Sequence, residues 1–219
     1  MEAAQSSAES VYNLAIAYEK DNGPEWNLAA DNPNYKVCLK QSPDGNGTLV
    51  KAMITLSDIT ADELAIIILE DENRKKWDDV FSEPTVLEKI DDQTDVYYFK
   101  MKSPSFMVSD REFVSKRVSL KDYKDASYFV FMSHTEHPSK PVQSKPVRGK
   151  LHQHIRLLRK TADGKGSTLT LIMQMDFGGN VPQMLVNNKA ASSPQKMFDA
   201  ISLNYYDWKK AGMFDKLKK

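Results

Sequence analysis

Two arginines of the chain have spacings that suit the recognition of an anionic group. Arg74 and Asp78 stand four residues apart on a predicted helix, where their side chains can form an ion pair. Arg117 follows Phe113 by four residues on a predicted strand, so the two side chains point to the same face. An unpaired charge is costly to bury, so we expect Arg117 to have an anionic partner in the fold or in a ligand.

Histidines occur in two segments that imitate a metal site without matching one. His134, Glu136 and His137 lie in the first segment, and His152 and His154 lie in the second. Their spacing belongs to no zinc signature, and the sequence contains no nucleophile elbow, P-loop or dinucleotide-binding glycine motif. We therefore expect no catalytic residue, no metal ion and no cofactor.

Composition and charge restrict the class of partner and the compartment. Thirty basic and thirty acidic residues give zero formal charge, which argues against a nucleic-acid partner. The single cysteine, Cys38, has no partner for a disulfide within the chain and suits the reducing cytoplasm. No stretch of about 18 apolar residues is present, and the first residues do not resemble a signal peptide, so we expect neither a membrane span nor export.

The hydrophobic pattern predicts helices at the two ends of one large antiparallel sheet. Helices are expected at about 7–20, with Ser6 or Ser7 as the cap, and at about 181–211, where Pro194 is a candidate bend. One or two shorter helices are expected between 61 and 81. Strands are predicted at 26–29, 35–41, 49–56, 95–102, 111–121, 127–136, 147–160 and 167–177. The absence of repeats and linkers favours one domain over residues 1–219.

Apolar side chains recur on one face of several of these elements. Tyr97, Phe99 and Met101 alternate along one strand, and Met173 and Met175 along another. Met197 and Ile201 recur at helical spacing near the chain end. These faces must meet, either as a filled core or around an apolar ligand, which methionine side chains accommodate well.

Three segments carry a resemblance to a known family. They are Arg74-Lys75-Lys76-Trp77-Asp78, Ser109-Asp110-Arg111-Glu112-Phe113-Val114 and Asp176-Phe177-Gly178-Gly179-Asn180-Val181-Pro182. In order and spacing the chain resembles START (StAR-related lipid transfer) domains, and it is most similar to members of the phosphatidylcholine-transfer type. The resemblance implies an α+β helix-grip fold, in which the C-terminal helix closes a curved antiparallel sheet over a hydrophobic tunnel.

The same resemblance implies which residues contact the ligand. The expected lipid-binding residues are Arg74, Asp78, Tyr97, Phe99, Met101, Phe113, Arg117, Gln153, Met173, Met175, Met197 and Ile201. Gln153 is included because Leu151, Gln153, Ile155 and Leu157 alternate as one face, which turns His154 outward. Sterol-binding members pair the arginine that matches Arg117 with an acid, but no acidic side chain of 95–102 is predicted to face inward. A phosphate or carboxylate of the lipid is therefore a candidate partner.

The choline-binding pattern of the family is matched only in part. Its aromatic cage corresponds here to Phe99, Phe113 and, less securely, His154, which form a poorer cage for a cation than tryptophan and tyrosine. The lipid class therefore stays open among phospholipid, sterol and sphingolipid.

The implied function is the binding of one lipid molecule and its transfer between membranes. Phe106, Met107 and Val108 place three apolar residues in a loop, which predicts a lid that touches the membrane during exchange. Lysines near the chain end, Lys209, Lys210, Lys216, Lys218 and Lys219, are further candidates for transient contact with anionic lipid. We expect a cytoplasmic monomer. The alternative is a lipid sensor that reports occupancy to a protein partner without bulk transfer.

Overall fold

A computed structural model describes residues 2–42, 45, 47–103, 108–179, 181 and 183–218, with the side chains of 2–6 and 183–185 left aside. The helices are α1 (Glu2–Lys20), α2 (Ala61–Leu69), α3 (Asp71–Arg74) and α4 (Gln183–Lys210), followed by a short 3-10 helix at Asp215–Lys218. The strands are β1 (Asn27–Asn32), β2 (Tyr35–Gln41), β3 (Thr48–Leu56), β4 (Phe81–Lys89), β5 (Thr94–Met101), β6 (Arg111–Tyr123), β7 (Ala126–His134), β8 (Val147–Arg148), β9 (Lys150–Lys160) and β10 (Ser167–Asp176).

All of these strands belong to one sheet. Its order is β1-β2-β3-β10-β9-β7-β6-β5-β4, with antiparallel neighbours throughout, and β8 pairs in parallel with the start of β6. Strands β1 to β3 are neighbours in chain order, and so are β4 to β7. The last strand, β10, pairs with β3, so the end of the sheet region lies beside its beginning. Helices α2 and α3 are inserted between β3 and β4.

Helix α1 covers one face of the sheet, which we call the outer face. Tyr12 and Ala15 are buried there against Phe129, Ile155 and Leu157. Arg159 fixes the helix to the strands, because its guanidinium pairs with Glu19 at 2.7 Å and with Asp125 at 2.8 Å. The outer face is therefore a filled core closed by ion pairs.

Helices α2 and α4 lie on the opposite face, which we call the inner face. Thr60 caps α2 in a reciprocal arrangement, because its hydroxyl accepts from the Glu63 backbone N–H and its own N–H donates to the Glu63 carboxylate. Ile201 and Tyr205 of α4 are buried against β2 and β3, near Tyr35 and Val37. A curved antiparallel sheet closed by a C-terminal helix is the predicted helix-grip fold, and that prediction is confirmed.

Two predicted helix boundaries were wrong. Helix α1 begins at Glu2, so Ser7 lies within it and is not the cap; Glu, Ala and Gln are good helix formers, which explains the extension. The helix predicted up to residue 81 ends much earlier, since α3 stops at Arg74 and Phe81 already opens β4. Pro194 lies inside α4, which runs continuously through it.

A bulge in β9 changes which side chains face inward. Leu151 pairs with Met175 and Gln153 pairs with Gln174, so His152 is an extra residue that has no partner on β10. Beyond it, Ile155 and Leu157 join the outer core, whereas Leu158 joins the inner one. The assumed alternation from Leu151 to Leu157 was therefore wrong, because it took the strand as regular.

Candidate functional site

The inner face near β5 and β6 carries a dense apolar cluster. Phe99 and Phe113 are register partners whose rings stack with centroids 5.0 Å apart and an angle of 17° between the planes. Other members of the cluster are Phe81, Tyr97, Met132, Leu151 and Met175, with Met101, Met173 and Phe177 packed against it. The structure thus brings together most of the predicted apolar site residues of the strands.

Met197 and Ile201 lie in a different apolar cluster. They are buried between α4, β2, β3 and α2, and Met173 borders both groups. The predicted site residues therefore extend along the whole inner face of the sheet.

Arg117 lies in these apolar surroundings and has an acidic partner on the neighbouring strand. Its Nε donates to Asp95 Oδ1 at 3.0 Å and its Nη2 to Asp95 Oδ2 at 2.6 Å. The guanidinium also lies 3.9 Å from the centre of the Tyr97 ring. The expectation that no acid of 95–102 faces inward was wrong: Asp95 is two residues from Tyr97 and shares its face.

Arg74 and Asp78 form the predicted ion pair just after α3. Arg74 Nε and Nη2 donate to Asp78 Oδ2 at 2.9 and 2.8 Å, and the two side chains are only 15% and 14% exposed. The guanidinium stacks 3.8 Å above the centre of the Phe81 ring. Neighbouring Trp77 donates from Nε1 to the Ile67 carbonyl at 3.0 Å, which ties this segment to α2.

Arg156 is a third arginine in this part of the inner face, and the sequence patterns did not predict it. It projects from β9 to the inner face, where its Nη1 donates to the Ile68 carbonyl at 3.3 Å. Among the residues that the structure describes, no carboxylate forms an ion pair with it. Burial and, second, the nearby Arg74 lower its pKa to about 9, so the group remains positively charged at neutral pH.

The three arginines surround a small cavity between α2, α3 and the sheet. Its volume is about 30 Å³, which suffices for a few water molecules. Arg74, Arg117, Arg156 and Asp71 contribute charged groups to its wall, and most of the remaining wall is apolar, from Ile68, Leu69, Val130 and Met132. The Tyr97 hydroxyl donates to Asp71, and burial together with this bond raises the pKa of Tyr97.

Because of the bulge in β9, two residues have orientations opposite to those predicted. Gln153 lies on the outer row, where its Nε2 donates to Gln174 Oε1 at 3.0 Å, so the expected contact of Gln153 with a ligand lacks its structural basis. His154 points inward instead, is only 8% exposed and leaves its Nδ1 without a hydrogen-bond partner among the described residues. Burial, followed by the charge of Arg156, lowers the pKa of His154 well below its ordinary value.

The predicted membrane contacts have mixed positions. Phe106 and Met107 lie outside the described residues, and Val108, the third lid residue, is half-buried. Lys209 pairs with Glu63 at 3.0 Å, and Lys216 and Lys218 pair with Glu70 and Asp215. Three of the lysines proposed for lipid contact therefore already have acidic partners.

Comparison with known families identifies the class of protein. The START domain family matches residues 8–198, and the chain therefore belongs to this family. The predicted resemblance is confirmed.

Relatives and solved structures agree with this assignment. The chain is 27% identical over 190 residues to human START domain-containing protein 10, covering 84% of this chain but only 63% of the length of that relative. It is 26% identical over 168 residues to bovine phosphatidylcholine transfer protein, covering 76% of this chain and 77% of that protein. Human StAR-related lipid transfer protein 5 superposes with a TM-score of 0.79 at 20% identity, covering 93% and 99% of the two chains.

The described residues include neither a membrane-spanning helix nor a metal-binding cluster. No described helix is long and apolar enough to cross a membrane. Within the same part of the chain, no three His, Cys, Asp or Glu side chains are grouped so that they can hold a metal ion.

Proposed function

We propose that this chain binds one lipid molecule, with a phospholipid as the first candidate, against the inner face of the sheet and transfers it between membranes. The observation that carries the proposal is the amphipathic character of the interior. A long apolar inner face is interrupted at one place by the charged groups of Arg74, Arg117 and Arg156 around a cavity. An amphipathic interior suits an amphipathic ligand, with its acyl chains along the apolar cluster and its headgroup at the arginines.

Membership of the START family supports the same function. Bovine phosphatidylcholine transfer protein and human StAR-related lipid transfer protein 5 are named for lipid transfer, and they cover most of this chain. Sterols and sphingolipids remain alternative ligands. The buried free thiol of Cys38 is compatible with the cytoplasm, where we propose that the protein acts as a monomer.

The energetics of lipid transfer favour an enclosed site. A lipid with about thirty methylene groups exposes apolar surface worth about 25 kcal/mol to water, at about 0.8 kcal/mol per group. An apolar interior replaces the bilayer for those groups, so the net free energy of extraction can stay small and exchange can run in both directions.

Lipid uptake requires the interior to open. Ligand pockets typically have volumes of about 300–1,000 Å³, whereas the cavity at the arginines has about 30 Å³. Helix α4 is the element most suited to move. The large buried side chains of Met197, Ile201 and Tyr205 anchor its second half, whereas the buried residues among the described side chains of its first half are the small Ala190 and Pro194. We propose that this first half of α4 separates from the sheet at the membrane.

A vesicle-to-vesicle transfer assay tests the proposed function. Donor vesicles contain a fluorescent phospholipid and a non-exchangeable quencher, and the purified chain is expected to accelerate fluorescence recovery well beyond spontaneous exchange. A rate equal to spontaneous exchange would refute transfer. If native mass spectrometry then still detected one lipid per chain, the sensor function would replace the carrier function.

A further inference from the structure

Among the arginines of the cavity wall, Arg156 is the one without a carboxylate partner in the described part of the chain. Arg74 and Arg117 each hold an aspartate within 3.0 Å, whereas Arg156 has one hydrogen bond, at 3.3 Å, to a main-chain carbonyl among the described residues. A guanidinium has five N–H donors, so most of its donors are available to another acceptor. Arg156 is half-buried, and holding its charge partly away from water without an anion has a cost that an anionic ligand would remove.

The charges around the cavity balance in number, but their hydrogen bonds do not. Arg74, Arg117 and Arg156 contribute three cations, and the carboxylates of Asp71, Asp78 and Asp95 lie on the wall or directly behind it. Asp71 accepts from Tyr97, whereas Asp78 and Asp95 bind the guanidinium groups of Arg74 and Arg117. A ligand phosphate in the cavity would therefore find the N–H donors that it needs on Arg156.

Three uncharged polar groups on the same face also lack partners. The buried atoms His154 Nδ1, Ser115 Oγ and His134 Nδ1 have no hydrogen-bond partner among the described residues, and His134 lies opposite Ser115 in the β6–β7 register. His154 is two residues from Arg156 on β9, and Ser115 is two residues from Arg117 on β6, so all four side chains share the inner face. Unsatisfied buried polar groups are uncommon in folded proteins. These atoms do not line the cavity itself but lie on the same face beside it, so a headgroup that extends beyond the cavity would satisfy them.

The aromatic rings at this place are not arranged to receive a cation. A guanidinium already lies on a face of Phe81, at 3.8 Å, and another on a face of Tyr97, at 3.9 Å. Phe99 and Phe113 stack on each other at 5.0 Å. A quaternary ammonium placed here would lie beside arginines and would lack an open aromatic cage.

We propose that the polar end of the interior selects a lipid whose headgroup is anionic and carries no ammonium group, with Arg156 contacting its phosphate. This inference rests on the proposed function, because it assumes that a lipid occupies the inner face. Arg156 is then a specificity-determining residue: its guanidinium supplies the phosphate with charge-assisted hydrogen bonds that a neutral side chain cannot.

A competition experiment with native mass spectrometry tests the selection. The purified chain is incubated with vesicles that contain dioleoyl phosphatidic acid, dioleoyl phosphatidylcholine and dioleoylglycerol in equal amounts, and the mass of the bound lipid is read. Phosphatidic acid is expected to exceed phosphatidylcholine by about tenfold or more, because its phosphate monoester carries more negative charge than a diester and brings no ammonium group beside Arg156. Equal or preferred uptake of phosphatidylcholine would overturn the selection and leave the proposed function intact, whereas no lipid on any chain would overturn both.

Substitutions at Arg156 identify the residue responsible. Arg156→Gln is expected to bring the ratio of phosphatidic acid to phosphatidylcholine close to one, while one lipid per chain is still bound. Lys160→Gln is the matched control, because it removes the same charge from an exposed position on the same strand and should keep the wild-type ratio. An unchanged ratio in Arg156→Gln would refute the assignment.

Folding and free phosphate are controlled separately. Arg156→Gln breaks no ion pair, so its urea midpoint is expected at or above that of the wild type; should it fail to fold, Arg156→Lys keeps the charge and should give an intermediate ratio. Inorganic phosphate alone is the last probe. Thermal protection by phosphate that depends on Arg156, without any lipid bound, would show that the subsite serves a free anion and would overturn the lipid assignment.

Discussion

Arg117 and Asp95 face each other directly across the β5–β6 pair and form a two-pronged ion pair inside the apolar interior. Their side chains are 19% and 16% exposed, so water screens the pair only weakly. The hydrogen bonds and charge of Asp95 raise the pKa of Arg117 although burial acts to lower it. The pair is thus a fixed polar feature of the fold before any ligand arrives.

Removing Asp95 should destabilise the protein strongly. Asp95→Asn leaves the Arg117 charge buried without its partner, and breaking a buried pair in this way costs about 3–5 kcal/mol. The free energy of unfolding, measured by urea titration, is expected to fall accordingly. The double substitution Asp95→Leu with Arg117→Leu should recover most of the loss, since it leaves no charge unpaired.

Glu83→Gln provides the control for this prediction. It breaks the Lys100–Glu83 pair on the surface, where the carboxylate side chain is 58% exposed, and should cost less than about 1 kcal/mol. A loss in Asp95→Asn no larger than in Glu83→Gln would show that the interior pair is energetically equivalent to a surface pair.

Gly149 should not tolerate a side chain. A Cβ at this position would lie 2.4 Å from Cε1 of Phe113 and 3.0 Å from the Asp176 carbonyl oxygen. Phe113 is stacked on Phe99 and fully buried, so it has little freedom to move away. Gly149→Ala is expected to lower the free energy of unfolding by about 1–3 kcal/mol, as overpacking generally does.

Gly23→Ala is the matched comparison. Its added Cβ would meet only the side chain of Glu25, which is flexible and half exposed. The substitution should change stability by less than about 0.5 kcal/mol. Similar losses in both variants would mean that Phe113 relaxes freely.

Glu63 should contribute stability that depends on pH. Burial alone would raise the pKa of its carboxyl, but hydrogen bonds from the Thr60 backbone, Lys209, the Thr60 hydroxyl and Tyr205 outweigh burial and lower it. A carboxyl whose folded pKa is depressed stabilises the fold above its unfolded pKa, about 4.3. That contribution is lost as the pH falls from there through the folded pKa.

The test for Glu63 compares variants over a pH series. Glu63→Gln should reduce the free energy of unfolding by about 2 kcal/mol at neutral pH, because the helix cap and the charged bonds to α4 weaken. The difference from the wild type should shrink below the unfolded pKa, as the wild-type carboxyl becomes protonated. A difference that stays constant down to strongly acidic pH would contradict the assignment. Glu72→Gln, at an exposed pair with Lys75, should have a small effect at every pH.

The lid prediction can be tested although Phe106 and Met107 lie outside the described residues. Replacing both with serine should slow vesicle-to-vesicle transfer, because less apolar surface would contact the membrane, while the melting temperature stays nearly unchanged. A large drop in melting temperature would identify these residues as part of the core. Replacement of Thr135 by serine, at the position that follows β7, serves as a control.

Local patterns allowed much of the fold to be predicted. The strand predicted at 35–41 has those bounds in the structure, and the strand predicted at 167–177 is one residue too long, because alternation and turn residues mark both. The Arg74–Asp78 pair was predictable for the same reason, since a spacing of four residues on a helical turn fixes the contact.

The rest of the site depends on relationships that local patterns do not contain. Asp95 is two residues from Tyr97, so strand alternation could have predicted that it faces inward. Its pairing with Arg117 depends on the register of two strands, which the local pattern does not contain. Arg156 was hidden for a different reason. Its inward orientation follows from the extra residue in β9, and the alternation of Leu151, Gln153, Ile155 and Leu157 pointed to the opposite face.

The extra residue His152 also gives β9 a tolerance to length variation. In a regular strand, Leu151 and Arg156 would face opposite sides of the sheet, because their numbers differ by an odd value. They share the inner face because the bulge adds one residue between them. A deletion of His152 would leave a regular strand in which Leu151, His154 and Arg156 still alternate inward. No bulge lies between Arg156 and Lys160. An insertion or deletion there would turn Leu158 outward and Arg159 inward, which would place a charge where the inner core is apolar. The loss of the one residue at the bulge is thus compatible with the inward face of β9, whereas a change of length after Arg156 is disruptive.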